Sequence, residues 1–595
     1  MNRESKKCQN CQQEFWIEPE DFQFYEKIKV PAPTWCPECR MRRRIIWRNE
    51  KNLYKSPDSR TGKIIFSMFA TGAPIPVWEV NDWWSDIWDP LSYGREYDWK
   101  KPFLVQFGEL FRETPYPSRQ IFNLVNSDYC ANANNLKDCY LVFGAGYTEY
   151  SAYSDNIDEC RHCLDTSYTV GSELNYESVF NKSCYRALFS SHCEDSQDIT
   201  FCLNCVGVSN CFGCVNLRNK SYYIFNQPYS KEDYLKKIRE FNPGSYGGFI
   251  AVKTKVQEFW SKFPVKYMHG RKNAGVAIGE YIWNSKNIRF SYDIRDSENL
   301  KFCYHIHSGA GGKDSYDYFR FGRGGELIYE GMQCGINVSN LRFCYQCFSN
   351  CSDLSYCISC INSSHLFGCA SLRNKQYCIL NKQYTKEEYE ELVPRIIEHM
   401  NKMPYVDKKG RVYRYGEFFP PELSPFAYNE TIAQEYFPLT KEQAVAQGYR
   451  WKDPELRQYE ITIKPEDLPD HIKDVKDDIL NQVIGCAHEQ KCNEQCTTAF
   501  KIIPEELAFY RRMNLPLPRL CPNCRHYQRL KQRNPLKLWH RRCQCAGQKS
   551  ENGVYQNTIS HQHGTNNCPN EFETSYAPDR KEIVYCEQCY QAEVA

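Results

Sequence analysis

The sequence has almost no surplus of charge and no long apolar run. Lysine and arginine number 75 against 73 for aspartate and glutamate, so overall electrostatics do not favour a polyanionic partner and any basic site must be local. No stretch of about 18 apolar residues is present, and the opening residues lack the apolar core of a signal peptide. These absences predict a soluble cytoplasmic protein with no membrane partner.

Familiar catalytic motifs are missing as well. The chain has no phosphate-binding glycine loop, no H-E-x-x-H and no G-x-S-x-G. Its repeated segments show no repeated pair of carboxylates, which glycoside hydrolysis needs. The sequence therefore predicts a non-enzymatic protein, and a zinc-dependent or redox enzyme is kept as an alternative.

Cysteine, by contrast, is abundant, with 33 residues in a chain of 595. A disulfide framework is one explanation, but such frameworks belong mainly to small secreted domains. In a cytosolic chain, C-x-x-C pairs more often hold zinc. Aromatic residues make up 15% of the sequence, which favours a folded chain. Reduced thiols that bind zinc are the favoured interpretation.

Two stretches near the ends are copies of one module. Residues 11–40 match residues 496–525 without a gap at an offset of 485, with 13 identities in 30 positions. Each copy offers two cysteine pairs, and four thiolates suit a tetrahedral structural zinc with no position left open for chemistry. The predicted ligands are Cys8, Cys11, Cys36 and Cys39 at one end, and Cys492, Cys496, Cys521 and Cys524 at the other, with Cys486 left open as a replacement for a named ligand.

A second ribbon follows the first at both ends. Its predicted ligands in the C-terminal copy are Cys543, Cys568, Cys586 and Cys589, with Cys545, His561 and His563 as alternatives for the first ligand. The matching positions of the N-terminal copy are Asp58, Thr61, Glu79 and Asp82. Zinc prefers sulfur and nitrogen donors, so that copy is predicted to be a ribbon without metal. The chain is thus expected to hold about three structural zinc ions.

The pattern C-x-x-C, Phe, Glu-x-x-Phe-Tyr, Pro and C-P-x-C-R resembles a bacterial family described as a "probable zinc-binding domain", treble-clef or zinc-ribbon-like in fold. The final segment, from Cys568 onward, resembles another zinc ribbon found beside it in uncultured bacteria with small genomes. The resemblance covers both ends, about a third of the chain. It implies zinc binding, and it implies no activity.

The middle of the chain shows a different cysteine pattern. One spacing, twenty-one positions, separates Cys139 from Cys160 and Cys163 from Cys184, and it recurs in the second half of the region. Short β-rich pieces such as "CYLVF" lie between, so this spacing predicts one coil of a right-handed parallel β-helix-like solenoid.

The solenoid region is itself duplicated. Residues 198–234 match residues 353–389 at an offset of 155, so two copies are predicted. Helices at 231–240, 386–400 and 98–111 are expected to cap them. The middle cysteines are interpreted as inward-facing core thiols, with additional zinc or an iron–sulfur cluster as the alternative.

The predicted fold class is therefore mostly β, with zinc ribbons flanking a duplicated solenoid and a few capping helices. The predicted boundaries are a zinc ribbon at 1–55, a ribbon without cysteines at 56–97, a helix and first solenoid copy at 98–245, a second copy and helix at 246–402, an extended arm at 403–485, and zinc ribbons at 486–540 and 541–595. A short helix is expected at 440–447 of the arm.

Basic residues follow both first ribbons in matching register. Guanidinium groups next to aromatic rings suit phosphate contacts and base stacking, so these runs predict an adaptor for RNA or a ribonucleoprotein. The candidate residues are Arg40, Arg42, Arg43, Arg44, Arg48, Arg525, Arg529, Lys531, Arg533, Lys537, Arg541 and Arg542. The alternative is that they form a solvated helix face or pair with acids of the arm or solenoid, and the protein is then a scaffold that binds proteins along its solenoid.

Overall fold

A computed structural model describes residues 2–307, 311–320, 324–453 and 459–594. The protein is mostly β, with two β-solenoids in the middle and cysteine clusters at both ends, and the predicted fold class is confirmed. Residues 454–458 of the predicted arm lie outside the described residues.

The helices of this described part are short and lie outside the solenoids. In chain order they are α1 (Pro19–Lys27), α2 (Pro37–Ile45), α3 (Val80–Trp84), α4 (Phe103–Glu113), α5 (Lys231–Glu240), α6 (Tyr246–Trp260), α7 (Lys386–Lys402), α8 (Ala433–Tyr436), α9 (Lys441–Ala446), α10 (Pro504–Met513), α11 (Pro522–Leu530) and α12 (Glu587–Val594). None of them is long and apolar enough to span a lipid bilayer.

Small β-hairpins build the ribbons and the arm. The antiparallel pairs are Glu4–Lys7 with Glu14–Ile17, Tyr54–Pro57 with Ile64–Ser67, Tyr405–Val406 with Val412–Tyr413, Ile484–Gly485 with Ala499–Phe500, and Trp539–Arg542 with Glu571–Thr574. Each first ribbon is therefore a hairpin followed by two helices, α1 and α2 at one end and α10 and α11 at the other.

The first solenoid stacks short parallel strands. They are Ile121–Val125, Ala133–Lys137, Tyr140–Phe143, Gly146–Glu149, Ala152–Asp158, Leu164–Val170, Tyr176–Val179, Tyr185–Leu188, Gln197–Thr200, Ser209–Phe212 and Ser221–Ile224, closed by the antiparallel Gln227–Pro228. The pairing register advances by twelve positions, for instance from Ser209 to Ser221. One coil of this solenoid therefore contains twelve residues.

A left-handed backbone conformation at every third residue makes so short a coil possible. From Asn132 to Phe225, each third residue has a positive φ, among them Asp165 at 50° and Glu177 at 48°. Such residues turn the chain sharply, and asparagine, aspartate and glycine adopt this conformation at the least cost. The coil is therefore square in outline, with three residues to a side.

Every third residue also faces the bore, from Cys130 to Cys214, and all of these positions are buried. The narrow bore admits small side chains, so Cys, Ser, Thr, Ala and Val recur along it. The Cys202 thiol, for example, lies 3.5 Å from the carbonyl oxygen of Cys211.

The coil length predicted from the cysteine spacing was wrong. Twenty-one positions are one coil of twelve residues plus three further sides of three residues each. Because an inward-facing residue recurs at every third position, cysteines in the bore are separated by multiples of three and not by whole coils. The informative property of the spacing was thus its divisibility by three.

The second solenoid repeats this design less regularly. Its strands are Gly270–Arg271, Ala274–Trp283, Lys286–Arg295, Glu298–Lys301, Tyr304–Ile306, Gly312–Phe319, Gly325–Glu326, Tyr329–Met332, Ser339–Arg342, Ser352–Ser355, Ser364–Phe367, Gln376–Ile379 and Lys382–Gln383. The register advances by twelve positions from Ser352 to Ser364 but by fifteen from Glu298 to Lys313. Its cysteines are buried in one apolar cluster.

The two solenoids lie flank to flank. The rings of Phe180 and Tyr281 stack 4.1 Å apart, and those of His192 and His269 4.2 Å apart. A hydrogen bond of 3.1 Å joins the hydroxyl groups of Tyr168 and Tyr304. Aromatic side chains thus connect successive coils of the two copies.

Two of the three predicted capping helices are confirmed. Helices α5 and α7 follow the last coils of the first and second solenoid and contact their final strands. Helix α4 forms as predicted, but it does not cap the front of the first solenoid. It packs on the second one, where the Phe103 ring lies 5.1 Å from the Phe367 ring, because its apolar face fits the aromatic flank of that solenoid.

The described part of the arm is anchored by buried aromatic side chains. Phe418, Phe419 and Tyr428 are almost fully buried, and Phe419 stacks 5.0 Å from Phe107 of α4. The predicted short helix is present as α9. The first part of the arm therefore packs between the first N-terminal ribbon and the second solenoid. Its later part lies elsewhere, because Leu468, Ile472 and Ile479 share an apolar cluster with Phe500 and Leu507.

Candidate metal centres and the interfaces around them

The four cysteines predicted for the first N-terminal ribbon (residues 4–49) lie together. Their sulfur atoms are all within 4.8 Å of one another, although the pairs come from separate loops. Cys8 lies in the turn of the first hairpin and Cys36 precedes α2. The Cys36 amide donates to the Cys8 sulfur at 3.3 Å. Four sulfur donors at this spacing can hold one tetrahedral metal ion.

The first C-terminal ribbon (residues 484–534) is arranged in the same way with one different ligand. Cys486, rather than the predicted Cys492, lies within 4.8 Å of Cys496, Cys521 and Cys524. The Cys521 amide donates to the Cys486 sulfur at 3.3 Å, as Cys36 does to Cys8 in the other copy. The sequence left open whether Cys486 replaces a named ligand, because nine residues separate it from Cys496 where two separate Cys8 from Cys11.

Cys492 belongs to a neighbouring group instead. Its sulfur lies 3.8 Å from that of Cys524, next to His488 and Glu494. Glu494 already forms ion pairs with His488 and Lys531. Cys486 is the stronger candidate for an all-sulfur site, because it is grouped with three other cysteines, whereas Cys492 is grouped with one.

The second C-terminal ribbon (residues 539–594) brings together the sulfurs of its predicted set. All four lie within 4.8 Å of one another and are buried; they belong to Cys543, Cys568, Cys586 and Cys589. The Cys586 amide donates to the Cys543 sulfur at 3.2 Å, the same bond that both first ribbons contain.

One thiol in each set is strongly acidified. Hydrogen bonds from neighbouring cysteines lower the pKa of Cys8, Cys521 and Cys586 well below the ordinary value. A thiolate is the form that binds metal. The same hydrogen bonds raise the pKa of Cys36, Cys524 and Cys589, so the geometry of each set favours one thiolate among its four thiols.

The second N-terminal ribbon (residues 54–88) uses a carboxylate where its C-terminal copy has a thiol. Asp58 matches Cys543, and its Oδ2 accepts the Glu79 amide at 2.7 Å, the bond that Cys586 makes to Cys543. The amides of Arg60 and Thr61 donate to its other oxygen. Burial opposes the charge, but these three bonds lower the pKa of Asp58. In this ribbon, hydrogen bonds to Asp58 connect the segments that a metal ion would connect in the C-terminal copy.

The arginines of α2 in the first N-terminal ribbon are buried against the second solenoid. Arg40 Nη2 lies 2.9 Å from Asp317 Oδ2, and Arg44 Nη1 lies 2.8 Å from Asp317 Oδ1. Arg43 bridges Glu330 of the solenoid and Glu417 of the arm. Burial raises the pKa of Glu330 to about 7, against the opposing effect of Arg43 and Arg44.

The first C-terminal ribbon docks on the first solenoid by matching contacts. Arg525 Nε lies 3.0 Å from Asp165 Oδ2, and Arg529 Nη1 lies 2.8 Å from Asp165 Oδ1. All three side chains are almost fully buried. Arg525 and Arg529 match Arg40 and Arg44 in the duplicated ribbon, so two copies of one interface exist, each joining a ribbon to the more distant solenoid.

Each second ribbon pairs in parallel with a short strand that lies just before a solenoid in the chain. Val77–Trp78 pairs with Tyr116–Pro117 ahead of the first solenoid, and Val584–Tyr585 pairs with Val265–Lys266 ahead of the second. In addition, the Tyr590 hydroxyl of α12 donates to Asn216 at the last coils of the first solenoid, at 2.9 Å. Ribbons from both ends therefore contact each solenoid.

The predicted nucleic-acid surface differs from what the structure shows. Of its twelve residues, six are buried, namely Arg40, Arg43, Arg44, Arg48, Arg525 and Arg529. Arg42, Arg533 and Arg541 are partly buried, and only Lys531, Lys537 and Arg542 are exposed. Carboxylates of the solenoids and the arm pair with five of the six buried arginines, in agreement with the alternative interpretation of these runs, and Arg48 pairs with Glu50.

The acids that accept these arginines were missed from the sequence. Asp165 and Asp317, and likewise Glu177 and Glu330, occupy left-handed corners of the two solenoids at nearly the same offset. Their repetition in a duplicated region was the available signal. Nothing in the local pattern links them to helices that lie so far away along the chain.

The chain matches no protein-family model, and no curated protein is similar to it in sequence. The resemblance of its ends to a zinc-binding family is therefore not confirmed by relatives. The structure itself shows that cysteine clusters at both ends are arranged so that they could hold metal ions.

Proposed function

We propose that the protein is a non-enzymatic scaffold in which zinc ions in the ribbons hold two β-solenoids side by side. The resident ions are zinc because each donor set supplies four sulfur ligands and leaves no open coordination position, as structural zinc sites do. Free thiols in this number belong to a reducing compartment such as the cytoplasm. The family resemblance of the ribbons supports the same metal.

The observation that carries this proposal is the burial of the arginine helices. Helices α2 and α11 begin directly after a candidate zinc ligand, Cys36 or Cys521, and each inserts two guanidinium groups onto one solenoid aspartate. A metal ion that fixes the start of the helix therefore also fixes its docking. Breaking a buried pair leaves an uncompensated charge, so these interfaces favour one arrangement of the modules.

A protein is the partner class that the open flank of the first solenoid favours. Along one column of stacked coils, whose side chains are exposed or half-buried, the charges alternate in sign from Lys137 through Glu149 and Arg161 to Glu173. Such a column offers no continuous positive field to a polyphosphate. It does suit complementary charges on a protein surface, which provide specificity.

Metal removal tests the proposal. The full chain, purified without a chelating tag, is expected to contain zinc at each all-sulfur set and to become less compact when a strong chelator removes it. Small-angle scattering should then show a larger radius of gyration together with an unchanged far-ultraviolet β-signal. Chelation that removes zinc without any change in dimensions would contradict the scaffold role.

Nucleic-acid binding is the informative second outcome. The scaffold proposal predicts no RNA affinity at about 0.1 M salt, where an interface with several phosphate contacts still binds and shows a steep salt dependence. Tight, salt-sensitive RNA binding would return the protein to the adaptor class. Lys531, Lys537 and Arg542, the exposed candidates, would then be the first residues to replace.

A further inference from the structure

A second group of metal-type donors lies next to the all-sulfur set of the second C-terminal ribbon. The ligand atoms of Cys545, His561, His563 and Cys589 all lie within 4.8 Å of one another. His561 Nδ1 is 3.7 Å from the Cys545 sulfur, and His563 Nε2 is 3.3 Å from the Cys589 sulfur. Two sulfurs and two imidazole nitrogens form a common tetrahedral zinc set.

Both histidines are oriented as metal ligands are. The remote nitrogen of His561, Nε2, lies 2.8 Å from Glu593 Oε1, and the remote nitrogen of His563, Nδ1, lies 2.6 Å from the Asn566 carbonyl oxygen. A carboxylate or carbonyl on the far nitrogen fixes the tautomer and leaves the near nitrogen's lone pair for a metal. The His561 and Glu593 side chains are each only 1% exposed.

Three of the four donors of this group come from a segment that the N-terminal copy of the ribbon lacks. Cys545, His561 and His563 lie in the insertion that separates the two matched parts of the duplicated ribbon. In sequence they were alternatives for a ligand of the neighbouring site. The structure shows them as a separate group, because Cys543 completes that site and these three residues form a second set with Cys589.

We propose that the second C-terminal ribbon binds two zinc ions, bridged by the Cys589 thiolate. One ion takes the all-sulfur set, and the other takes Cys545, His561, His563 and the same Cys589 sulfur. The inference rests on the proposed function in one respect, namely that the all-sulfur set holds zinc. Sharing is electrostatically favourable, since two divalent cations face five thiolates, whereas a single ion in the all-sulfur set carries four.

The second ion fastens the insertion to α12. Cys589 and Glu593 lie on that helix, and its Tyr590 contacts Asn216 of the first solenoid. The side-chain nitrogen of Asn557, Nδ2, lies 3.2 Å from the Cys545 sulfur, and the Thr558 backbone amide donates a hydrogen bond to the Glu593 carboxylate. An ion at this position therefore ties the loop, the helix and the solenoid contact together.

Counting zinc in the full chain by native mass spectrometry and elemental analysis tests the proposal. The wild type is expected to hold four ions, one more than the three all-sulfur sets supply. His563→Ala should hold three, while His563→Cys, which restores a ligand, should hold four. His540→Ala is the matched control, because His540 is an exposed histidine of the same ribbon that pairs with Glu571 and Glu573, and it should hold four.

Two further variants test the bridge. Cys545→Ala should lose one ion and Cys589→Ala should lose two, because only Cys589 contributes to both sets. Loss of a single ion in Cys589→Ala would contradict a shared thiolate. Failure of His563→Cys to restore the ion lost in His563→Ala would show that His563 is needed for folding and not as a ligand, and would overturn the proposal.

The outcome separates this inference from the proposed function. A wild type with three ions, unchanged in His563→Ala, overturns the second ion and leaves the three all-sulfur sites in place. A wild type with fewer than three ions contradicts the proposed function itself.

Discussion

Asp165 and Asp317 lie 152 positions apart in the chain, and each holds a pair of arginines from the ribbon at the far end of the protein. Both aspartates occupy left-handed corners of a solenoid, where the chain turns and the side chain is directed outward. The duplicated ribbon and the duplicated solenoid have thus kept one interface twice. Each terminal ribbon docks on the solenoid that is more distant in sequence, so both ends of the chain pack against its middle.

Removing either aspartate should destabilise the docked helix. In Asp165→Ala two buried guanidinium groups lose their carboxylate, and the free energy of opening of α11 should fall by about 3–5 kcal/mol. Asp317→Ala should do the same to α2. Native-state hydrogen exchange measures both. Arg161→Ala is the control, because its pair with Glu149 is exposed and should change stability by less than about 1 kcal/mol.

The identity of the ligands in the first C-terminal ribbon separates two neighbouring cysteines. Cys486→Ser should cost one zinc ion, since Cys486 completes the set with Cys496, Cys521 and Cys524. Cys492→Ser should keep the zinc content of the wild type. Elemental analysis decides the matter, and the opposite pattern would restore the ligand predicted from the sequence.

Loss of that zinc should leave the solenoids folded. In Cys521→Ser one ion is lost and amides of α10 and α11 exchange faster, whereas the circular dichroism of the β-coils persists because each coil is bonded to its neighbours. Collapse of the whole β-signal would show that the solenoids cannot stand without the ribbon.

The thiols inside the solenoids should behave as apolar packing groups. Cys357 is fully buried and its sulfur lies 3.4 Å from the Ser355 carbonyl oxygen. Cys357→Ala should lower stability by about 1–2 kcal/mol, as removal of a small buried group does, with no change in zinc content. If this substitution lowers the zinc count, the middle cysteines are ligands.

The left-handed corners should reject β-branched residues. Asn135 has a φ of 51°, so Asn135→Val should cost about 1–2 kcal/mol. Lys137→Val should cost little or stabilise, because Lys137 is an exposed residue of the same strand, two positions on and without a positive φ. Equal effects of the two substitutions on the thermal midpoint would argue against the square coil.

Local sequence patterns predict the ribbons and the presence of a duplicated solenoid. They do not predict the contacts between these modules. Cysteine spacing identifies zinc-type knuckles such as Cys36 and Cys39 because the ligand geometry is short-range. The predicted coil length was wrong because inward-facing residues recur at every third position, so the spacing of cysteines does not mark whole coils. The role of the arginines depended on acids such as Asp317, distant in sequence, so the runs looked exposed.

Hydrogen exchange in the triple variant Arg525→Glu, Arg529→Glu and Arg533→Glu tests the central claim most directly. The account predicts faster exchange in α11 and in the strand Leu164–Val170 beneath it, because the variant places like charges against Asp165. RNA affinity should be absent before and after the change. Unchanged exchange at both elements, together with an RNA affinity that falls at least tenfold at about 0.1 M salt, would contradict it and make these arginines an external nucleic-acid surface.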